Sequence, residues 1–176
     1  MPRPRIEVLE RRHRPLLRDF QNQEQALVDY LRRFALRHAE KDLLSRTFLV
    51  LDEVAGTQRV CGYFSLATVS VERISVARIP ELDRLPRFPI PGVLLAQLAV
   101  DRRVQGQGLG RFLFDEALGK TLTLASSGPV AFKLLVADAI HEVAAEFYKR
   151  RGLVLLSSRY PARMVLDLKP VLEETR

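Results

Sequence analysis

The chain of 176 residues is 47% apolar and 28% charged, the proportions of a globular protein, and a single domain over residues 1–176 is expected. Its net charge of +7 and pI near 10.1 favour polyanionic partners, and much of the excess sits in Arg3, Arg5, Arg11, Arg12, Arg14 and Arg18. No apolar run is long enough to span a membrane, the lone Cys61 excludes an internal disulfide, and no apolar signal core follows the basic start, so a cytoplasmic protein without a membrane partner is expected.

In chain order, Ile6 to Leu9 reads as a short strand. Gln23 to His38 reads as an amphipathic helix carrying Ala26, Leu27, Tyr30, Leu31 and Phe34 at helical spacing. Arg46–Asp52 and Val60–Val71 form a hairpin around a Gly56-Thr57 turn. Cys61, among Val60, Gly62, Tyr63 and Phe64, is expected to pack rather than react. Pro80, Pro86, Pro89 and Pro91 punctuate a segment expected to be irregular. Val93–Val100 is a buried-looking strand, a glycine turn follows, and a helix runs from Arg111 to about Leu124. Ala131–Ala137 is another strand. Asp138 is then read as the cap of a helix that ends before Gly152, and Leu153–Leu156 and Arg163–Leu168 close the sheet. An antiparallel first half followed by strand–helix–strand–helix–strand predicts an α+β fold, one mixed sheet flanked by helices.

The chemistry concentrates in Leu95-Ala96-Gln97-Leu98-Ala99-Val100-Asp101-Arg102-Arg103-Val104-Gln105-Gly106-Gln107-Gly108-Leu109-Gly110-Arg111. Gly106, Gly108 and Gly110 can supply positive φ and bare backbone, and the following helix adds unpaired N–H groups and the positive end of its dipole. That pattern is a phosphate cradle. It has neither the Gly-Lys-Ser/Thr ending of a nucleotide P-loop nor the G-x-G-x-x-G spacing of a dinucleotide fold.

Arg103 to Gly108 fits Arg/Gln-x-x-Gly-x-Gly/Ala, and Ala145-Glu146-Phe147-Tyr148-Lys149-Arg150-Arg151-Gly152-Leu153 is similar to an A-x-x-F-Y-x-x-x-G-F helix. With these segments the chain resembles the Gcn5-related N-acetyltransferases (GNAT) over about residues 6 to 169. It further resembles the acetyltransferase toxins of bacterial type II toxin–antitoxin pairs, through Ala26 to Leu31, Ser45 to Phe48, Gly62 to Ala67, Leu85-Pro86 and Leu95 to Asp101. It departs from them in Phe20-Gln21-Asn22-Gln23, where they carry Phe-x-Cys-Gly, and in His141, where Asn or Asp is common.

The resemblance implies the GNAT fold and acetyl-CoA as cosubstrate, with no metal. The pyrophosphate would lie on the backbone of Gln105, Gly106, Gln107, Gly108, Leu109 and Gly110, with Arg103 or Arg111 at the rim. Leu98, Ala99 and Val100 would pair with the pantetheine arm, His141 would stand beside it, and the N–H near Val100 would polarise the thioester carbonyl. Tyr148 matches the general acid, although spacing alone favours a core tyrosine. No general base stands out: His13 and His38 read as solvated, and Glu142 and Glu146 fit a solvent-facing helix side. An α-amino acceptor, with a pKa near 8 against about 10.4 for lysine, needs such a base least.

The toxin resemblance implies acetylation of the α-amino group of aminoacyl-tRNA, which blocks translation, and a ribbon–helix–helix antitoxin and a homodimer as partners. Arg32, Arg33, Arg37, Arg78, Arg87, Arg150 and Arg151 are candidates for the RNA surface, although each taken singly reads rather as a solvated charge. Two alternatives stand beside it: acetylation of a protein N-terminus, lysine or small amine, and a non-catalytic CoA-binding regulator.

Overall fold

The computed structural model describes residues 4–54, 56–76, 79–86 and 88–175. The elements are β1 (Arg5–Val8), α1 (Gln25–Asp29), a π-helical turn (Tyr30–Phe34), α2 (Ala35–Glu40), β2 (Arg46–Val54), β3 (Thr57–Val71), α3 (Arg73–Val76) and α4 (Pro80–Asp83). They continue with β4 (Ile90–Val100), α5 (Leu109–Ser127), β5 (Leu134–Ala139), α6 (Glu142–Lys149), β6 (Val154–Leu155), β7 (Ala162–Asp167) and α7 (Leu168–Glu174). Seven strands in the order β1-β2-β3-β4-β5-β7-β6 make the expected mixed sheet of an α+β fold. The chain divides into two compact units, residues 1–67 with 96–117 and residues 68–95 with 118–176, so β3, β4 and α5 each contribute to both.

In the first unit β1, β2 and β3 pair antiparallel, with Ile6 opposite Val50 and Phe48 opposite Phe64. The register slips where Val50 faces Gly62 and Leu51 faces Val60, leaving Cys61 as a bulged extra residue. The bulge turns the Cys61 carbonyl to the end of β4, where it accepts the Asp101 N–H at 2.8 Å. Gly62 is required beside it, because a Cβ there would lie 2.9 Å from Leu113 Cδ1 and 3.0 Å from the Ala99 carbonyl oxygen.

The helical segment before β2 buries Val28, Leu31 and Ala35 against Phe20, Leu49, Leu51 and Tyr63. Its middle widens into a π turn, with Ala35 N–H bonded to the Tyr30 carbonyl, and Phe34, expected inside, is left 44% exposed. Tyr63 fastens this layer: its hydroxyl donates to the Leu27 carbonyl at 2.6 Å, and its ring meets Phe20 edge-on. Leu49, Leu51 and Tyr63 face this segment, while Gly62, paired with Val50, faces the first turns of α5.

In the second unit β4 and β5 run parallel, Val93 beside Leu135, and β5 pairs antiparallel with β7, Val136 beside Val165. Leu82, Ile90, Leu134 and Val165 anchor its core. Four expectations change here. The proline-rich segment is only partly irregular: Pro80 starts α4, where its missing N–H costs nothing, and Ile90-Pro91 already belong to β4. Asp138 caps no helix, because it lies in β5 and its carboxylate takes both ends of the Arg163 guanidinium across the β5–β7 pair at 2.9 Å. His141 is the cap instead, its Nδ1 accepting the Ala144 N–H at 3.1 Å. A last helix, α7, is added, capped by Asp167 on the Lys169 N–H. Gly152 ends α6 in the left-handed conformation at φ +88°, as its place after the helix predicts.

Candidate active site

The cradle is built at the end of β4 in the first unit. A short 3-10 turn, Arg102–Val104, follows the strand, and Gly106 and Gly108 then take φ of +78° and +82°. A Cβ at either glycine would meet nothing within 4 Å, so the space over the loop is open to a ligand that needs bare backbone. Gly110, expected to share that conformation, lies instead inside α5 with no positive φ. Phe112 N–H bonds the Gly108 carbonyl at 3.1 Å, so Leu109, Gly110 and Arg111 present the N–H groups that precede the helical ladder. A cleft of about 410 Å³ opens here, lined by Val104, Gln107, Gly108, Leu109 and Phe112 and on its far side by Pro4, Asp52, Glu53 and Cys61. Cys61 is buried, and burial pushes its thiol up, away from the reactive thiolate.

Arg103 differs from the rim cation the sequence suggests. Its guanidinium binds the Asp101 carboxylate at 2.7 and 2.8 Å and donates to the Asp19 carbonyl at 2.8 Å. Asp101 is fully buried and also accepts the N–H groups of Arg103 and Gln21, each at 3.0 Å. Burial by itself would push this carboxyl up. The hydrogen bonds from Arg103 and from the two N–H groups outweigh it and hold the group below the ordinary carboxylate range. Arg103 is therefore a brace of the loop. The exposed Arg111, 3.6 Å from Asp115, remains at the helix start. Gln105 turns its side-chain amide onto the Val100 carbonyl at 3.3 Å, and Ala99 is buried between the half-buried Leu98 and Val100.

Asp101→Asn leaves Arg103 without its counter-charge and puts an amide N–H₂ where an N–H was accepted, and it is expected to cost about 2–4 kcal/mol in a urea melt. The loss should also follow pH. A carboxyl whose folded pKa lies below its unfolded value of about 3.9 stabilises fully above that value and loses the contribution as pH falls through the lower folded pKa. The wild-type advantage over the Asn variant should thus be level at neutral pH and shrink below about pH 4.

Tyr148 lies in α6, in the second unit, 8% exposed and edge-on to Phe147. Burial is the main reason its hydroxyl is pushed up to about 12. On the same helix Glu142 and Glu146 are exposed, and Glu146 pairs with Lys149 at 2.7 Å. Capping engages His141 through Nδ1, which accepts the Ala144 N–H at the start of α6. Arg150 is exposed. Arg151 is engaged: its guanidinium stacks 3.5 Å from the centre of the Phe147 ring and donates to the Phe147 carbonyl at 2.6 Å, which makes it a brace of the helix end.

Three of the candidate RNA arginines, Arg32, Arg33 and Arg37, line a second cleft of the first unit, about 520 Å³, together with Arg11, Arg14, Lys41 and Glu40. Arg11 pairs with Glu40 at 2.7 Å and Arg37 with Asp42 at 2.9 Å, while Arg33 stands 3.8 Å from Asp29. Arg14 and Lys41 have no acidic partner among the described residues. Arg32 donates to the carbonyls of Leu17, Arg18 and Phe20 and so braces the chain as well as lining the cleft. Arg78 and Arg87 lie outside the described residues. His13 is buried, not solvated: its Nδ1 accepts the Glu10 N–H at 3.0 Å and its Nε2 lies 3.1 Å from Glu7. Sequence reasoning missed Asp101 and Asn22 as parts of the site, because the contacts that join the two segments, Gln21 N–H to Asp101 and Asn22 to the Val100 carbonyl, link residues about 80 positions apart. Among the described residues no cluster of His, Cys, Asp and Glu could hold a metal ion, and no helix is long and apolar enough to cross a membrane.

No family model matches the sequence. The tRNA-acetylating toxin of Mycobacterium tuberculosis (strain ATCC 25618 / H37Rv) is 35% identical over 130 residues, 73% of this chain and 72% of that protein. AtaT complexed with acetyl-methionyl-tRNAfMet superposes with a TM-score of 0.84 at 25% identity, covering 98% of this chain and 99% of its own. AtaTR bound with AcCoA matches with a TM-score of 0.80 at 25% identity over the whole of both chains. The glycine cradle at the end of β4 and the Phe-Tyr helix now stand in a fold shared with these proteins, and the chain belongs to the acetyltransferase toxins of toxin–antitoxin systems, a branch of the Gcn5-related N-acetyltransferases.

Proposed function

We propose that this chain is an acetyl-CoA-dependent N-acetyltransferase that blocks translation by acetylating the α-amino group of aminoacyl-tRNA. The observation that carries the reading is the cradle: two left-handed glycines with open space above them, followed by the N-terminus of a 19-residue helix. The N–H groups from Gln105 to Arg111 hold the pyrophosphate, and Leu98, Ala99 and Val100 offer strand edges to the amide-bearing arm. Acetyl-CoA supplies the acetyl group as a thioester. Tyr148, kept protonated by its buried setting, holds the proton that the departing sulfur needs. The acceptor nitrogen forms its new bond to the acetyl carbon as the carbon–sulfur bond breaks, and the nitrogen's own proton goes to water. An α-amino group near pKa 8 is neutral often enough for this without a dedicated base.

The tRNA acceptor rests on the relatives, named for tRNA acetylation and solved with an acetylated initiator tRNA, and on the basic cleft of Arg14, Arg33, Arg37 and Lys41. The same kinship supports a small antitoxin as partner. We further infer a cytoplasmic homodimer acting as one catalytic domain.

The test is direct. Purified protein is incubated with labelled acetyl-CoA and a pool of aminoacylated tRNA, with deacylated tRNA and a lysine peptide alongside. Label is expected on charged tRNA alone. Label on the peptide alone would move the assignment to a protein or small-amine acetyltransferase, and no label on any acceptor would point to a CoA-binding regulator.

A further inference from the structure

Residues 17–22 form a strap in which the carbonyls of residues 17–21 are tied from outside it, position by position. Arg32 takes those of Leu17, Arg18 and Phe20, Arg103 takes that of Asp19, and the Arg102 N–H takes that of Gln21. At the end of the strap the half-buried Asn22 uses both ends of its amide. Its Oδ1 accepts the Glu24 N–H at 2.8 Å, a local turn that leads into α1. Its Nδ2 donates to the Val100 carbonyl at 2.8 Å, the same oxygen that Gln105 reaches from the cradle loop.

The consequence falls on one peptide group. The C=O of Val100 is gripped by Asn22 and Gln105, while the N–H of the same peptide, on Asp101, is held by the Cys61 carbonyl of the β3 bulge. That peptide is the junction between β4 and the cradle. With both edges fixed it cannot rotate, and residues 101–108 start from one orientation. We propose that Asn22 is a positioning residue for acetyl-CoA: it sets the Val100–Asp101 peptide and thereby the glycine loop. The inference rests on the acetyl-CoA reading above.

Asn22→Asp separates the two ends of the amide. Aspartate keeps the oxygen that accepts the Glu24 N–H and is at least as good at a helix start, but it has no N–H for Val100 and sets a carboxylate oxygen against that carbonyl. A role confined to the turn would leave this variant normal. We expect its melting temperature to stay within about 2 °C of wild type while its Kd for acetyl-CoA, measured by titration calorimetry, rises about five- to tenfold, the effect of one lost hydrogen bond. Asn22→Leu, which loses both ends, should show the same weakening and a lower melting temperature. Acetyl-CoA affinity equal to wild type in Asn22→Asp, or weakening that merely tracks melting temperature across the variants, would overturn the proposal. Asn22→Ser, neutral and still able to accept the Glu24 N–H but without an amide N–H for Val100, separates the lost donor from the added charge: the same rise in Kd is expected of it, and no rise would overturn the proposal whether or not Asn22→Asp folds. Failure of the wild-type protein to bind acetyl-CoA would instead overturn the cofactor reading itself.

Discussion

Tyr148→Phe is expected to lower the rate of acetyl transfer by about 10²- to 10⁴-fold while leaving acetyl-CoA affinity within about twofold of wild type. The substitution removes one oxygen from a side chain that is 8% exposed, so the packing of α6 and the edge-on contact with Phe147 persist. Single-turnover acetylation of charged tRNA measures the chemical step, and calorimetry with acetyl-CoA measures binding apart from it. A parallel loss of both would mean that the hydroxyl holds the helix and carries no proton. The pH profile gives a second reading. With its pKa pushed up to about 12, Tyr148 stays protonated across the working range and contributes no basic limb. The wild-type rate should therefore rise as the acceptor amine loses its proton, around pH 8 or below, and then stay level to about pH 10. A fall between pH 9 and 10 that vanishes in the Phe variant would contradict a hydroxyl held in its neutral form.

What the sequence could carry about this site was the part written in neighbouring residues. The cradle is an apolar strand, a glycine-spaced turn and a helix start within 17 consecutive residues, and left-handed Gly106 and Gly108 follow from that spacing. Gly110 shows the limit, because helix α5 begins one residue before it and claims its backbone. The braces were illegible for another reason. Asp101 meets Gln21, Asn22 meets Val100 and Arg103 meets Asp19, all pairs about 80 residues apart that exist only once β4 lies under the strap. An arginine near a phosphate motif reads as an anion ligand until its carboxylate partner is seen. Arg32, Arg103 and Arg151 all turn out to hold backbone carbonyls, and no periodicity distinguishes them from exposed cations such as Arg33 and Arg150. Asp138 is the same case with the sign reversed: a good helix cap locally, taken by Arg163 across the sheet. Local preference chose, and tertiary pairing overrode it.

Reversing the charges of Arg14 and Lys41 together, as Arg14→Glu with Lys41→Glu, is expected to raise KM for full-length aminoacyl-tRNA by about 10- to 100-fold near 0.1 M salt, through lost phosphate contacts. These two line the basic cleft without acidic partners among the described residues, so their charge is open to an anion, whereas Arg11 and Arg37 are already paired. The dependence of log KM on log salt should flatten by about one unit for each phosphate contact removed. An aminoacylated fragment of a few nucleotides, which offers the amine without the body of the tRNA, should be acetylated by the double variant as by wild type. Arg32→Ala supplies the contrast. Its guanidinium holds three strap carbonyls, so its loss should lower the melting temperature and weaken acetyl-CoA binding more than it changes the salt slope. An equal loss on the fragment and on whole tRNA would place the cleft's effect in folding or catalysis. Unchanged kinetics on tRNA, with binding of an antitoxin peptide abolished, would assign the cleft to the antitoxin.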